Sequence, residues 1–175
     1  MGFNISLFAA ARSDLVAFLL LMGLSIKDVE DDANEMPLSG GIAGDRFILW
    51  QNMSQATDFA RKKLIDVSLV VPFLKLDVSE TAMVCGLSEY RDGAEQWSAH
   101  YIADKDKPIH VDDEMPDTLK SFVKAHPKHG SGNEFDILPD AFGDLTGFRY
   151  DVWEDDRAFR QVVEKAKRKR WWQLW

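Results

Sequence analysis

Hydrophobic and polar positions along this chain change period several times, and each change predicts an element. Phe3-Asn4-Ile5-Ser6-Leu7-Phe8 alternates apolar and polar before closing on Phe8, the two-residue period of a strand. Leu15–Ile26 is then apolar except for Gly23 and Ser25. Ser13 or Asp14 is placed to cap a helix there, with Gly23 or Ser25 near its C-terminal end. Because apolar residues surround most of this helix, it is expected to be well buried. Residues 27–45 begin acidic and continue through Pro37, Ser39, Gly40, Gly41 and Gly44, which reads as a loop.

Phe47-Ile48-Leu49-Trp50 is a short apolar run and predicts a central strand. Ser54 is expected to cap a helix ending near Lys63 or Leu64. Val67–Leu76 reads as a strand broken by an edge or bulge at Pro72. Ala82–Leu87 and Gln96–Ile102 read as a hairpin around Asp92-Gly93, with Trp97, Ala99 and Tyr101 on one face. Ile109-His110-Val111 adds a short strand, and Pro116-Asp117 opens a helix to about Ala125. His126–Asn133 reads as a loop, and Phe135–Pro139 leads into a short helix ending at Gly147. Phe159, Val162, Val163 and Ala166 have the spacing of a helix from Glu154 to about Trp172. Consecutive strands in this order predict an α+β domain, mainly antiparallel sheet with helices packed on it.

Composition narrows the class. The chain has 175 residues, 46% of them hydrophobic, which suits one domain spanning 1–175 with its own core. A single cysteine, Cys85, excludes an internal disulfide and a cysteine-built zinc site. No apolar run reaches the roughly 20 residues of a membrane span, and the Leu15–Ile26 run lacks a small-x-small cleavage site. The expected compartment is cytoplasmic. Met1-Gly2…Ser6 fits the bare myristoylation pattern, which is short enough to match by chance.

Charge is unevenly placed. Residues 1–156 hold 14 basic and 28 acidic side chains, or −14, whereas 157–175 hold seven basic and one acidic, or +6. An acidic body repels polyanions and favours a basic protein partner, so no nucleic acid is expected. The tail from Lys165 to Trp175 carries Lys167, Arg168, Lys169 and Arg170, then Trp171, Trp172 and Trp175. Three readings stay open for it, in this order: folding back to neutralise the body, weak contact with an anionic membrane, and stacking on single-stranded nucleic acid.

No motif carries an established chemistry. Ser39-Gly40-Gly41-Ile42-Ala43-Gly44 lacks the Gly-Lys-Ser/Thr ending of a phosphate loop, and the acidic run before it opposes phosphate. His126-x-x-His129 is interrupted by Pro127, which breaks any helix that would aim both rings at one metal. Cys85 lies in an apolar run, where a buried, inert thiol is the simpler reading. No catalytic, cofactor or metal residue is therefore assigned. An alternative is a small hydrolase-like or metal-dependent enzyme using His100, His110 and Asp112, which requires those side chains to converge.

Glu80-Thr81-Ala82-Met83, Glu89–Gly93, Gln96–His100, Phe135–Pro139 and Leu145–Asp151 together resemble a group of small acidic bacterial proteins of uncharacterised or toxin-immunity type. The resemblance covers about half the chain in separate pieces. The Trp97-x-x-His100 spacing fits, whereas Tyr150 stands where the pattern has histidine. It implies a bacterial cytoplasmic protein that binds and occludes a basic toxin domain. On that reading the candidate partner-binding residues are Asp28, Glu30, Asp31, Asp32, Glu35, Tyr90, Trp97, Asp112, Asp113 and Glu114.

Overall fold

The computed structural model describes residues 2–31, 34–56, 58–103, 109–111, 116–125, 134–152 and 158–165. Strands β1 (Asn4–Ala11), β2 (Leu24–Glu30), β3 (Leu38–Ala43), β4 (Arg46–Asn52), β5 (Phe73–Ser79), β6 (Val84–Arg91), β7 (Ala94–Ile102), β8 (Ile109–Val111) and β9 (Arg160–Glu164) form one sheet. Its order is β2-β9-β3-β4-β1-β5-β6-β7-β8, and every neighbouring pair is antiparallel. Helices α1 (Leu15–Met22), α2 (Arg61–Ser68), α3 (Asp117–Ala125) and α4 (Ile137–Thr146) complete the described elements. The α+β expectation holds at this level.

Helices cover both faces of the sheet. Ile5, Leu7 and Ala9 of β1 point to the side where Leu119 of α3 and Leu138, Ala141 and Phe142 of α4 pack. Phe8 and Ala10 point to the other, against Phe18, Leu19 and Met22 of α1 and Leu64 and Val67 of α2. Central strands that bury both faces lose the apolar/polar alternation. That is why β1 and β4 read as nearly continuous apolar runs.

The β6–β7 hairpin turns at Asp92-Gly93 as expected, with φ of 54° and 75°, the left-handed pair that suits the twist of a two-residue loop. Helix α1 ends at Gly23, whose φ of 74° again needs a residue without Cβ strain.

Several expectations are corrected. Residues 27–45 are not one loop, since β2 and β3 occupy much of the stretch. Gly40 and Gly41 sit inside β3, where the rings of Phe47 and Phe159 lie where a Cβ would project. A Cβ on Gly40 would fall 2.8 Å from the Phe47 ring. Gly40→Ala is therefore expected to destabilise the fold by about 2 kcal/mol through overpacking, read as a lower urea midpoint at unchanged slope.

Ser54 does not cap a helix. Its hydroxyl donates to Asn52 Oδ1 at 2.6 Å in a local turn, and α2 begins seven residues later, after Ala60. Val67 and Ser68 belong to α2, so Pro72 precedes β5 and interrupts no strand. Asp14 stands at the start of α1 without a side-chain capping bond, because a 3-10 turn over Arg12–Asp14 feeds the helix. The helix expected from Glu154 contains a strand instead: β9 inserts between β2 and β3, placing Phe159 and Val162 in the two opposite cores. Helix α1 is buried on one side only, with Val16 76% and Leu20 63% exposed.

Candidate functional site: an acidic edge and a polar rung

Strand β2 ends the sheet, so one of its edges has no strand partner among the described residues. Lys27, Asp28, Val29 and Glu30 are exposed along it, and Glu35 is exposed just beyond. The Asp28 side chain is 93% exposed and accepts a hydrogen bond from Arg160 of β9 at 2.6 Å. Charged side chains on an edge strand keep it soluble and discourage uncontrolled strand pairing. The Glu30 and Glu35 side chains are exposed beside it.

Asp31, next in sequence, has a different role. It is buried, and its carboxylate accepts the backbone N–H groups of Glu35 at 2.9 Å and Met36 at 3.2 Å, together with the Ser39 hydroxyl. Its own N–H donates to the Phe159 carbonyl at 2.9 Å. Asp31 thus clasps the connection between β2 and β3 to β9 and offers no contact surface.

Tyr90 and Trp97, two of the candidate contact residues, are also buried, which for Trp97 is the core position that large aromatics usually take. Tyr90 stacks on Phe73 with ring centroids 5.0 Å apart. Burial, reinforced by the nearby Glu95 carboxylate, pushes its phenol up to about 12. The Trp97 indole N–H donates to Glu89 at 2.8 Å, and both residues line a cavity of about 320 Å³ with Arg46, Leu74 and Leu145. The chain has three tyrosines, and burial raises all of them. A raised phenol favours the folded state at neutral pH, and that contribution is lost as pH climbs past the unfolded value near 10. The native protein is therefore expected to show less tyrosinate absorbance near pH 10 than the urea-unfolded chain.

Asp32, Asp112, Asp113, Glu114 and the tail tryptophans Trp171, Trp172 and Trp175 lie outside the described residues. So does His126–Asn133.

A second feature was not anticipated from sequence. Gln51, Ser6, Asp77, Gly86, His100 and His110 face one another strand by strand across β4, β1, β5, β6, β7 and β8. Lys75, Ser88 and Ser98 form the next row. These rows lie on the α1/α2 side, where Lys75 Nζ sits 5.8 Å from the Phe8 ring centroid. Lys75 is buried and pairs with Asp77 at 2.9 Å and Asp58 at 3.9 Å, and Ser6 donates to the same Asp77. Its long stem covers apolar surface while its ammonium is neutralised.

The two histidines of the enzyme alternative stand on neighbouring strands. His100 and His110 are cross-strand partners, and the His100 ring lies over Gly86, 3.1 Å from where a Cβ would stand. His110 Nε2 is buried without a hydrogen-bond partner among the described residues. The third group, Asp112, is among the undescribed residues. Among the described residues no group of three or more His, Cys, Asp or Glu side chains is arranged to hold a metal. Cys85 is fully buried, which pushes its thiol up and away from the reactive thiolate. No helix among the described residues is long and apolar enough to cross a membrane.

Compared with family models, with curated proteins and with solved structures, the chain matches none.

Proposed function

We propose that this chain is an interaction protein that binds a basic partner and occludes it, in the manner of an immunity protein against a basic toxin domain in the cytoplasm. The observation that carries this reading is the open β2 edge with exposed Asp28, Glu30 and Glu35. The −14 charge of residues 1–156 supports it by steering a cationic partner toward the body. The partner's Lys and Arg would lie along the carboxylates, which fix register and speed association. Asp31, Tyr90 and Trp97 drop out of the contact set, because each is buried and engaged internally.

Co-expression with the product of the adjacent gene tests the reading. The expected result is a basic protein retained by the wild-type chain and lost when Asp28, Glu30 and Glu35 are replaced by Lys. Retention of no basic protein, or equal retention by the substituted chain, contradicts it.

A second reading, an enzyme working from the polar rung, rests on the cross-strand register of His100 and His110. Calorimetric titration with Zn²⁺ separates the two. Binding that His100→Ala and His110→Ala each abolish favours the enzyme, and no binding removes its metal-dependent form.

A further inference from the structure

The sheet face under α3 and α4 is left unfilled at one end. There Ile48, Ala9, Leu74, Glu89 and Trp97 stand in one row across β4, β1, β5, β6 and β7. Arg46 lies two residues before Ile48 on β4 and so projects to the same face. Ala9 brings only a methyl group to the middle of the row, and the cavity of about 320 Å³ opens beside it. Pro116, just ahead of α3, and Leu145, in the last turn of α4, complete its lining. That volume lies at the lower end of those that hold small molecules, and the mixture of apolar walls with a few polar groups is the usual one for such sites.

The two charged groups of the lining differ in how far they are already engaged. Glu89 accepts the Trp97 indole N–H at 2.8 Å and has the Arg91 guanidinium at 3.6 Å. Arg46 is open by comparison. Its Nε is buried and makes no hydrogen bond among the described residues. Its ion pair among them is with Asp45 at 3.6 Å, beyond a good hydrogen bond and on a side chain 89% exposed. The nearest acid on the helix side, Asp117, is 97% exposed and pairs with Lys120 at 3.0 Å. A buried donor on a permanently charged group costs stability until it meets an acceptor. An incoming carboxylate supplies that acceptor in the geometry a guanidinium fits best.

We propose that this cavity binds a small carboxylic acid with an apolar body. The carboxylate meets Arg46, and the body lies against Trp97, Leu74 and Leu145. Binding is favoured by the apolar surface removed from water and is oriented by the guanidinium. A cationic ligand fits less well, because Glu89 is already held by Trp97 and Arg91. The site is separate from the β2 edge, at the far side of β9, β3 and β4, and does not depend on a protein partner.

Titration of the full chain with hexanoate, octanoate and phenylacetate, each beside its amide and the amine of the same body, tests the proposal by NMR of the indole N–H groups. At least one acid is expected to bind and shift an indole resonance, with its amide weaker by about tenfold or more. Arg46→Gln is expected to remove the preference for the acid over the amide. Leu145→Trp, at a partly exposed position, fills part of the cavity and is expected to block both. Thermal transitions check that each variant folds, and the comparison of acid with amide on the wild-type chain decides even if one does not. Absence of millimolar binding by all three acids overturns the proposal and leaves a cavity that holds water. Equal binding of acid and amide overturns it by removing Arg46 as the anchor, and a preference for the amines overturns it in favour of Glu89. Wild-type binding by folded Leu145→Trp overturns it by placing the contact elsewhere on the chain.

Discussion

Asp31→Ala is expected to lower the unfolding free energy by about 3 kcal/mol, more than any exposed carboxylate of this chain. The carboxylate is buried and receives two backbone N–H groups and one hydroxyl. Hydrogen bonds to a charged group contribute about 1.5–3 kcal/mol each, but they act here as one network and do not add fully. Truncation also leaves the Glu35 and Met36 amides without their acceptor at a partly buried site. Urea unfolding followed by tryptophan fluorescence reads the loss as a lower midpoint at constant slope. A change below about 0.5 kcal/mol, typical of an exposed site, would remove the clasp assigned to Asp31. Asp31→Asn retains an acceptor oxygen and is expected to fall between the two.

The second large effect concerns rate. Replacing Asp28, Glu30 and Glu35 together by Lys is expected to slow association with a basic partner by about 10–100-fold at low salt. Such steering depends on unscreened field, so the gap should shrink as ionic strength approaches 0.5 M. Stability should move by less than about 1 kcal/mol, because the Asp28–Arg160 pair is solvent-exposed and such pairs contribute little. Stopped-flow association at two salt concentrations checks both parts. An equal loss at low and high salt would mean that the substitutions damaged a packed contact rather than a field.

These contrasting roles for neighbouring carboxylates mark where sequence reasoning stops. Asp28, Glu30 and Asp31 look alike as a run of acids. What separates them is that β9, about 130 residues later, pairs with β2 and brings Phe159 over Asp31. No local pattern carries that pairing. Val162 and Val163 fit a helical stripe as well as a strand, and only the gap between β2 and β3 decides. Gly40 and Gly41 read as turn formers, yet the aromatic rings beside them demand glycine for space. By contrast, the β6–β7 hairpin, α3, α4 and β1 follow from short-range signals, and those were legible. The polar rung was readable only as Lys75-x-Asp77 inside an apolar strand, an alternation that names one face but not its neighbours. Residue type offered Tyr90 and Trp97 both to a partner and to the core, and ring stacking and an indole hydrogen bond keep them inside.

Hydrogen exchange on the complex with the co-purified basic protein bears most directly on the edge as the working surface. In an edge strand, alternate amides lack a strand partner and exchange readily until another chain covers them. Binding is expected to slow exchange within Leu24–Glu30 while leaving β7 and β8 unchanged. Unaltered exchange in Leu24–Glu30, with new protection around His100 and His110, would contradict the account.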